Sequence, residues 1–289
     1  MAGTTEQNSQ EFTIKHDKLD LHIYLSSSNK LLLHEETIPD RVAELKCEFL
    51  RDQMVNDPIV IDADSSVVLD GMHRVVALRE LNCTCVPVCA VDYLNPSIKV
   101  GVWYRTMFGE PSPSQVKFSL STSGLASDVF PFDMTRIYEN PTVAILFENG
   151  ECYRITSSSP GAFEALKIAE QCVRRLGFTI KFETEHDALQ ILAGNRTKAI
   201  MTLPRIDKES VRKAGLTGQL LPHKVTRHII PARPLGINVP LKTLTDQGTQ
   251  SLESNRSFVS SLQKRSMTRG PSGTIVRGRR YEEETFIFS

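Results

Sequence analysis

The stretch VVLDGMHRVVALREL (67–81) sets an acid, a glycine, a histidine and an arginine between two apolar runs. That junction is where a buried strand should end and a helix begin. A helix opening there leaves backbone N–H groups unpaired at a positive dipole end, which suits a phosphate. Arg74 would add a fork matched to phosphate oxygens and His73 a further donor, with Gly71 and Met72 in the same turn. Asp70 could hold Mg2+ together with substrate phosphates, the arrangement that ion prefers. A plainer reading makes Asp70 the helix cap and leaves His73 and Arg74 in a solvated first turn. The pattern supports both.

Two further constellations could carry chemistry. LLLHEETIP places His34, Glu35 and Glu36 after an apolar run and before a helix start. A carboxylate at such a mouth can take a proton from a hydroxyl nucleophile, and equally both acids could be surface residues favoured by the helix dipole. HKVTRH (223–228) crowds Lys224, Thr226, Arg227 and His228 between Pro222 and Pro231, a basic loop suited to a carboxylate or phosphate or simply to water. Trp103, the only tryptophan, reads as core or as a ligand wall. Cys83, Cys85 and Cys89 fall on alternate positions of CTCVPVC, so on a strand they share a core-facing side; a metal or redox role has only their spacing behind it.

The elements that must position these residues follow from periodicity. FTIKHDKLDLHIYL reads as one or two strands. TIPDRVAELKCEFLRD (37–52) reads as a helix capped by Thr37, with Pro39 in its first turn and Val42, Leu45 and Phe49 as its buried stripe. PIVID, VVLD and CTCVPVCAV read as strands, and MHRVVALREL and SIKVGVWYRTMF as helices, the latter carrying Trp103. Farther on, TVAILFENGECYRIT reads as a hairpin turning at Asn149-Gly150, and GAFEALKIAEQCVRRLG as a helix closed by Gly177. FTIKFE and KAIMTLP read as strands flanking a helix at HDALQILAG, and another helix is expected near 207–215.

Composition bounds the rest. The 289 residues carry formal net charge +0 and are 40% hydrophobic, room for one large or two ordinary domains. Zero net charge argues against a nucleic-acid partner held by electrostatics. The polar start MAGTTEQNSQ lacks the apolar core of a signal peptide, no run is long enough for a membrane span, and six scattered cysteines make no disulfide scaffold. A cytoplasmic setting is expected. The expected layout is a tail at 1–12, an α/β domain at 13–110 ending in the Pro/Ser-rich GEPSPSQ, a second, smaller α/β domain at 111–242, and a flexible Ser/Arg-rich tail at 243–289.

Taken together, HEE, LDGMHR, VWY and TRH, in that order and with Asn56-Asp57-Pro58 between the first two, resemble the free L-serine kinases. These are the ADP-dependent archaeal enzymes and their ATP-using bacterial siderophore-pathway relatives, and the resemblance runs from about residue 20 to 242. It implies a ParB/sulfiredoxin-like nucleotide-binding domain packed against the second domain, with the active site in the cleft between them. The implied activity is phosphorylation of free L-serine to O-phospho-L-serine with ADP or ATP and Mg2+. On that likeness Glu35 would be the general base, Asp70 would organise Mg2+ and take part in catalysis with His73, and Gly71, Met72, His73 and Arg74 would line the nucleotide phosphates. Trp103, Thr226, Arg227 and His228 would bind serine. The archaeal pattern is commonly DGHHR, so Met72 departs from it, and the tail after 242 has no counterpart there. Met72 also stands where sulfiredoxin chemistry needs a cysteine, which excludes that activity. The alternative, a ParB-like nucleotide-binding regulator of transcription, would require a helix-turn-helix and a basic face.

Overall fold

The computed structural model describes residues 10–129, 143–156, 161–245 and 250–289. The chain divides into two units, 1–99 with 208–220 and 228–289, and 100–207 with 221–227. This differs from the expected layout: the first crossing falls at 99/100, and the chain leaves the first unit twice and returns twice.

The first unit is built on a sheet of Phe12–Ile14 (β1), Leu21–Ser27 (β2), Ile59–Asp62 (β4), Val68–Asp70 (β5) and Cys85–Val91 (β6), ordered β1-β2-β6-β4-β5; Met54–Val55 (β3) lies outside it. Every residue of β6 is buried, as a continuous apolar run at a sheet centre should be. Cys89 within β6 and Cys83 just before it are core residues, and burial pushes their thiols up to about 12 and about 11, out of reach of thiolate chemistry at neutral pH. Helix Pro39–Asp52 buries Val42, Leu45 and Phe49 as its spacing predicts. Its N-cap is Ile38 rather than Thr37, and the Ile38 N–H donates to His73 Nε2 (3.0 Å), so a distant ring replaces the expected local cap.

The stretch expected as a helix around Trp103 is two strands, Lys99–Val102 (β7) and Tyr104–Phe108 (β8). Tyr104 to Met107 are all buried, because β8 lies inside a sheet and has no solvent face to give it a period. That sheet founds the second unit, with Ala126–Val129 (β9), Val143–Phe147 (β10), Cys152–Thr156 (β11), Thr179–Glu183 (β12) and Ala199–Thr202 (β13), ordered β12-β8-β13-β10-β11-β9 with each pairing antiparallel. The β10–β11 turn takes its positive φ at Gly150 (84°), and helices Pro113–Thr122, Ala162–Arg175 and Glu185–Ala193 belong to this unit. Pro113 thus opens a helix inside the segment expected as a linker, through a Ser112–Gln115 capping box.

Beyond Thr226–Ile229 (β14) the chain completes the first unit. Ala232–Leu235 (β15) pairs in parallel with Glu284–Phe288 (β20), which pairs antiparallel with Met267–Gly270 (β17); Val239–Pro240 (β16) pairs with β3, and Ile275–Val276 (β18) with Arg279–Arg280 (β19). The expected flexible tail is therefore folded from 250 onward. Helix Gln250–Gln263 buries Phe258, Val259 and Leu262, and Phe288 meets Phe12 edge-on at 5.5 Å. Asn255 ties that helix to the first sheet, accepting from Leu25 N (2.8 Å) and donating to the Gln10 carbonyl (2.7 Å). A few well-spaced apolar anchors outweigh a polar composition here. No helix among the described residues is long and apolar enough to cross a membrane.

Candidate active site

β5 ends at Asp70, Gly71 turns the chain in the left-handed region (φ 102°), and helix Met72–Glu80 starts at once. Gly71, not Asp70, is the N-cap, so the carboxylate is released from capping. Asp70 Oδ2 accepts from Arg74 Nη2 (2.9 Å) and from Arg233 Nη1 (2.7 Å), and Arg233 Nε donates to Glu283 Oε1 (2.6 Å). Burial opposes charge on Asp70, but Arg233, Arg74 and Arg279 outweigh it and hold the carboxyl far below its usual range. Arg74 Nη1 donates to the carbonyls of Asp57 (2.7 Å) and Pro58 (2.9 Å), and the Asp57 carboxylate accepts from Gly236 N (2.9 Å) and Arg277 Nη2 (2.6 Å). Arg74 is thus a brace joining the Asn56-Asp57-Pro58 turn to Asp70, where sequence suggested a phosphate fork.

Among the described residues there is no all-protein Mg2+ cage, and Asp70 alone could meet a cation only together with substrate phosphates. The same oxygen of Asp70 serves two guanidinium groups, and among the described residues no three His, Cys, Asp or Glu side chains gather as a metal site. What they build is a charge cluster with one arginine in excess, Arg74, Arg233, Arg277 and Arg279 with Asp57, Asp70 and Glu283, next to a helix N-terminus. It suits an anion. Met72, half-buried at the head of the helix, offers that anion a backbone N–H but no side-chain donor.

The His73–Ile38 bond brings the HEE segment to this helix start. Because His73 Nε2 accepts, its proton sits on Nδ1. One residue before Glu35, His34 is fully buried and donates from Nδ1 to the Val68 carbonyl (2.7 Å), leaving Nε2 3.9 Å from Glu35 Oε1. Burial lowers the His34 pKa to about 4, so the ring beside Glu35 is neutral at pH 7. Glu35 is 4% exposed. His228 stands edge-on to His34 (5.3 Å between centroids), and its Nε2 accepts from the Tyr93 hydroxyl (2.8 Å). Burial, then His34, takes the His228 pKa to about 3.

Glu35, Asp70, Gly71, Met72, His73, Arg74 and His228 therefore lie in the first unit, whereas Trp103, Thr226 and Arg227 lie in the second. In the second unit the Arg105 guanidinium, fully buried and paired with Glu170 (2.6 Å), donates to the carbonyls of Trp103 (2.7 Å), Lys224 (2.8 Å) and His223 (3.1 Å). It clamps the loop so that Lys224 and Arg227 stand over the Trp103 ring at 4.8 and 5.5 Å from its centroid. Thr226 is buried. Sequence reasoning missed Asp57, Tyr93, Arg233, Arg277, Arg279 and Glu283. The run RGRR (277–280) was the available signal, discounted as tail.

No family model matches the chain. It is 28% identical over 232 residues to an ATP-dependent L-serine kinase of Staphylothermus marinus, covering 75% of this chain and 88% of that protein. An ADP-dependent L-serine kinase of Thermococcus kodakarensis is 25% identical over 191 residues, covering 63% of this chain and 74% of its own. A free serine kinase solved in complex with ADP superposes with a TM-score of 0.68 at 20% identity, covering 83% of this chain and 98% of that one. By sequence the chain is similar to the L-serine kinases, and it has the fold of the free serine kinase structures.

Proposed function

We propose that this protein is a kinase of free L-serine that takes its phosphoryl group from ATP or ADP. The observation that carries the reading is Glu35: a carboxylate 4% exposed, beside a neutral histidine, on the segment that His73 fastens to the helix start at Asp70-Gly71. The relatives' names, L-serine kinases using ATP in one case and ADP in another, support the reaction and both donors. In this reading the phosphates sit on the backbone N–H groups of Gly71, Met72 and His73, with Arg74 positioning Asp70. Glu35 takes the proton as serine Oγ bonds to the terminal phosphorus. The bond from that phosphorus to its bridging oxygen breaks, and ADP or AMP leaves. Any divalent cation arrives as the nucleotide's own counterion. His228, in the same unit as Glu35, serves as a neutral hydrogen-bonding partner for the amino acid; positioning and charge then do most of the catalysis.

Purified protein incubated with L-serine, Mg2+ and either nucleotide is expected to yield O-phosphoserine with stoichiometric ADP or AMP, read by mass spectrometry. No phosphoserine with either donor at millimolar substrate overturns the proposal.

A further inference from the structure

The C-terminal hairpin is bonded to the turn that Arg74 holds, and the side chain of one of its arginines holds no carboxylate. β18 and β19 are joined by Arg277-Gly278, both with positive φ (48° and 76°), the two-residue turn whose twist matches a tight hairpin. A left-handed arginine carries strain, offset here because its guanidinium is bonded to Asp57 (2.6 Å), the residue whose carbonyl Arg74 holds. The hairpin base is fixed by Gly273 N to the Tyr281 carbonyl (2.7 Å) and Tyr281 N to the Thr274 carbonyl (2.9 Å). Two residues past Tyr281, Glu283 is bonded to Arg233, which is bonded to Asp70. Both ends of the hairpin are thus anchored to the LDG and NDP turns.

Arg279 differs from its neighbours. Arg74, Arg233 and Arg277 each hold a carboxylate, whereas among the described residues the Arg279 side chain makes no hydrogen bond or ion pair. It is exposed, stacked over the Tyr281 ring at 4.8 Å from the centroid, and its charge helps keep the Asp70 carboxyl ionised. Stacking limits its rotamers while leaving the N–H fork open. A restrained guanidinium with unused donors, on a hairpin whose turn is bonded to Asp57, has the chemistry of a phosphate ligand.

We propose that Arg279 is a nucleotide-binding residue that contacts the donor's phosphates from the C-terminal hairpin. This rests on the kinase reading, so its test is nucleotide binding, read apart from turnover. Binding of ADP and ATP to the full chain would be measured by titration calorimetry for the natural protein, Arg279→Gln, Arg279→Lys and Arg280→Gln. One charge-assisted contact predicts a Kd about 10- to 100-fold weaker in Arg279→Gln. Partial recovery is expected in the lysine variant, and an unchanged Kd in Arg280→Gln. In turnover the KM for nucleotide rises while that for serine stays. If the natural protein binds nucleotide and Arg279→Gln binds it equally well, the inference is wrong and the kinase reading stands. If the natural protein binds neither nucleotide, both fall.

Discussion

Arg233 links three charges drawn from distant parts of the chain, and replacing it with methionine tests whether the arrangement at Asp70 is as described. Arg233 is 8% exposed and bridges Asp70 Oδ2 (2.7 Å) and Glu283 Oε1 (2.6 Å). Methionine keeps most of the apolar stem and removes the fork. Breaking a buried pair by deleting one partner costs about 3–5 kcal/mol. Asp70 retains Arg74, and its side chain is 35% exposed, so water screens its share of the loss. Glu283, 16% exposed, loses the arginine bonded to it and bears more. The expected net loss is about 2–4 kcal/mol, read as a lower urea midpoint at unchanged slope. The double variant Arg233→Met, Glu283→Gln removes the stranded charge and should regain about 1–2 kcal/mol. A single-variant loss below about 1 kcal/mol, the range of a surface pair, or a double variant no more stable than the single, refutes the reasoning.

Glu35→Gln should leave the circular dichroism spectrum and nucleotide Kd intact while kcat falls about 10²- to 10⁴-fold; a kcat within a few-fold of the natural protein removes Glu35 as base. Gly71→Ala forces a side chain into the left-handed region, at about 1–2 kcal/mol, and sets a Cβ 2.7 Å from Arg74 Nη2. Its urea midpoint should fall and its nucleotide KM rise together, and an unaltered pair of values would contradict the turn geometry. Because burial holds His34 neutral down to about pH 4 whereas an unfolded histidine protonates near 6.5, the unfolded state binds more protons below 6.5. Stability should therefore drop as pH falls from 6.5 toward 4, approaching about 1.4 kcal/mol per unit from this residue, with His228 acting in the same direction. Urea midpoints that stay flat between pH 7 and 5 would show that the buried His34 ring is not held neutral.

The parts of the fold legible in the sequence were those with a strong local period or a turn that demands particular residues. Helix 39–52 was readable from Val42, Leu45 and Phe49, and the β10–β11 hairpin from Gly150. β8 misled because a strand buried on both faces has no alternation to read, and Tyr-Arg-Thr-Met-Phe carries a charge whose partners include Glu170 and the carbonyls of His223 and Lys224, far along the chain. The folded segment 250–289 misled because composition averages away three anchors on one helix and a terminal Phe-Ile-Phe strand. At the site, residue types were visible and their partners were not. The sequence showed that Asp70, His73 and Arg74 were chemically loaded. That His73 would cap a helix 35 residues upstream, or that Arg74 would brace the Asp57–Pro58 backbone, depends on tertiary pairing with no local signature.

The distance along the chain between Asp70 and Arg233 has a consequence for how the protein is made. The two are separated by 163 residues, so at about 5–20 residues per second a ribosome releases the acid roughly 10 to 30 s before its buried partner. Through that interval all of 100–207 emerges, a whole antiparallel sheet able to form while the earlier strands still await β15 and β20. The bridge from Asp70 through Arg233 to Glu283 is thus completed last, when β20 pairs alongside β15 and brings Glu283 with it. A product terminated before residue 233 would present Asp70 without its Arg233 partner.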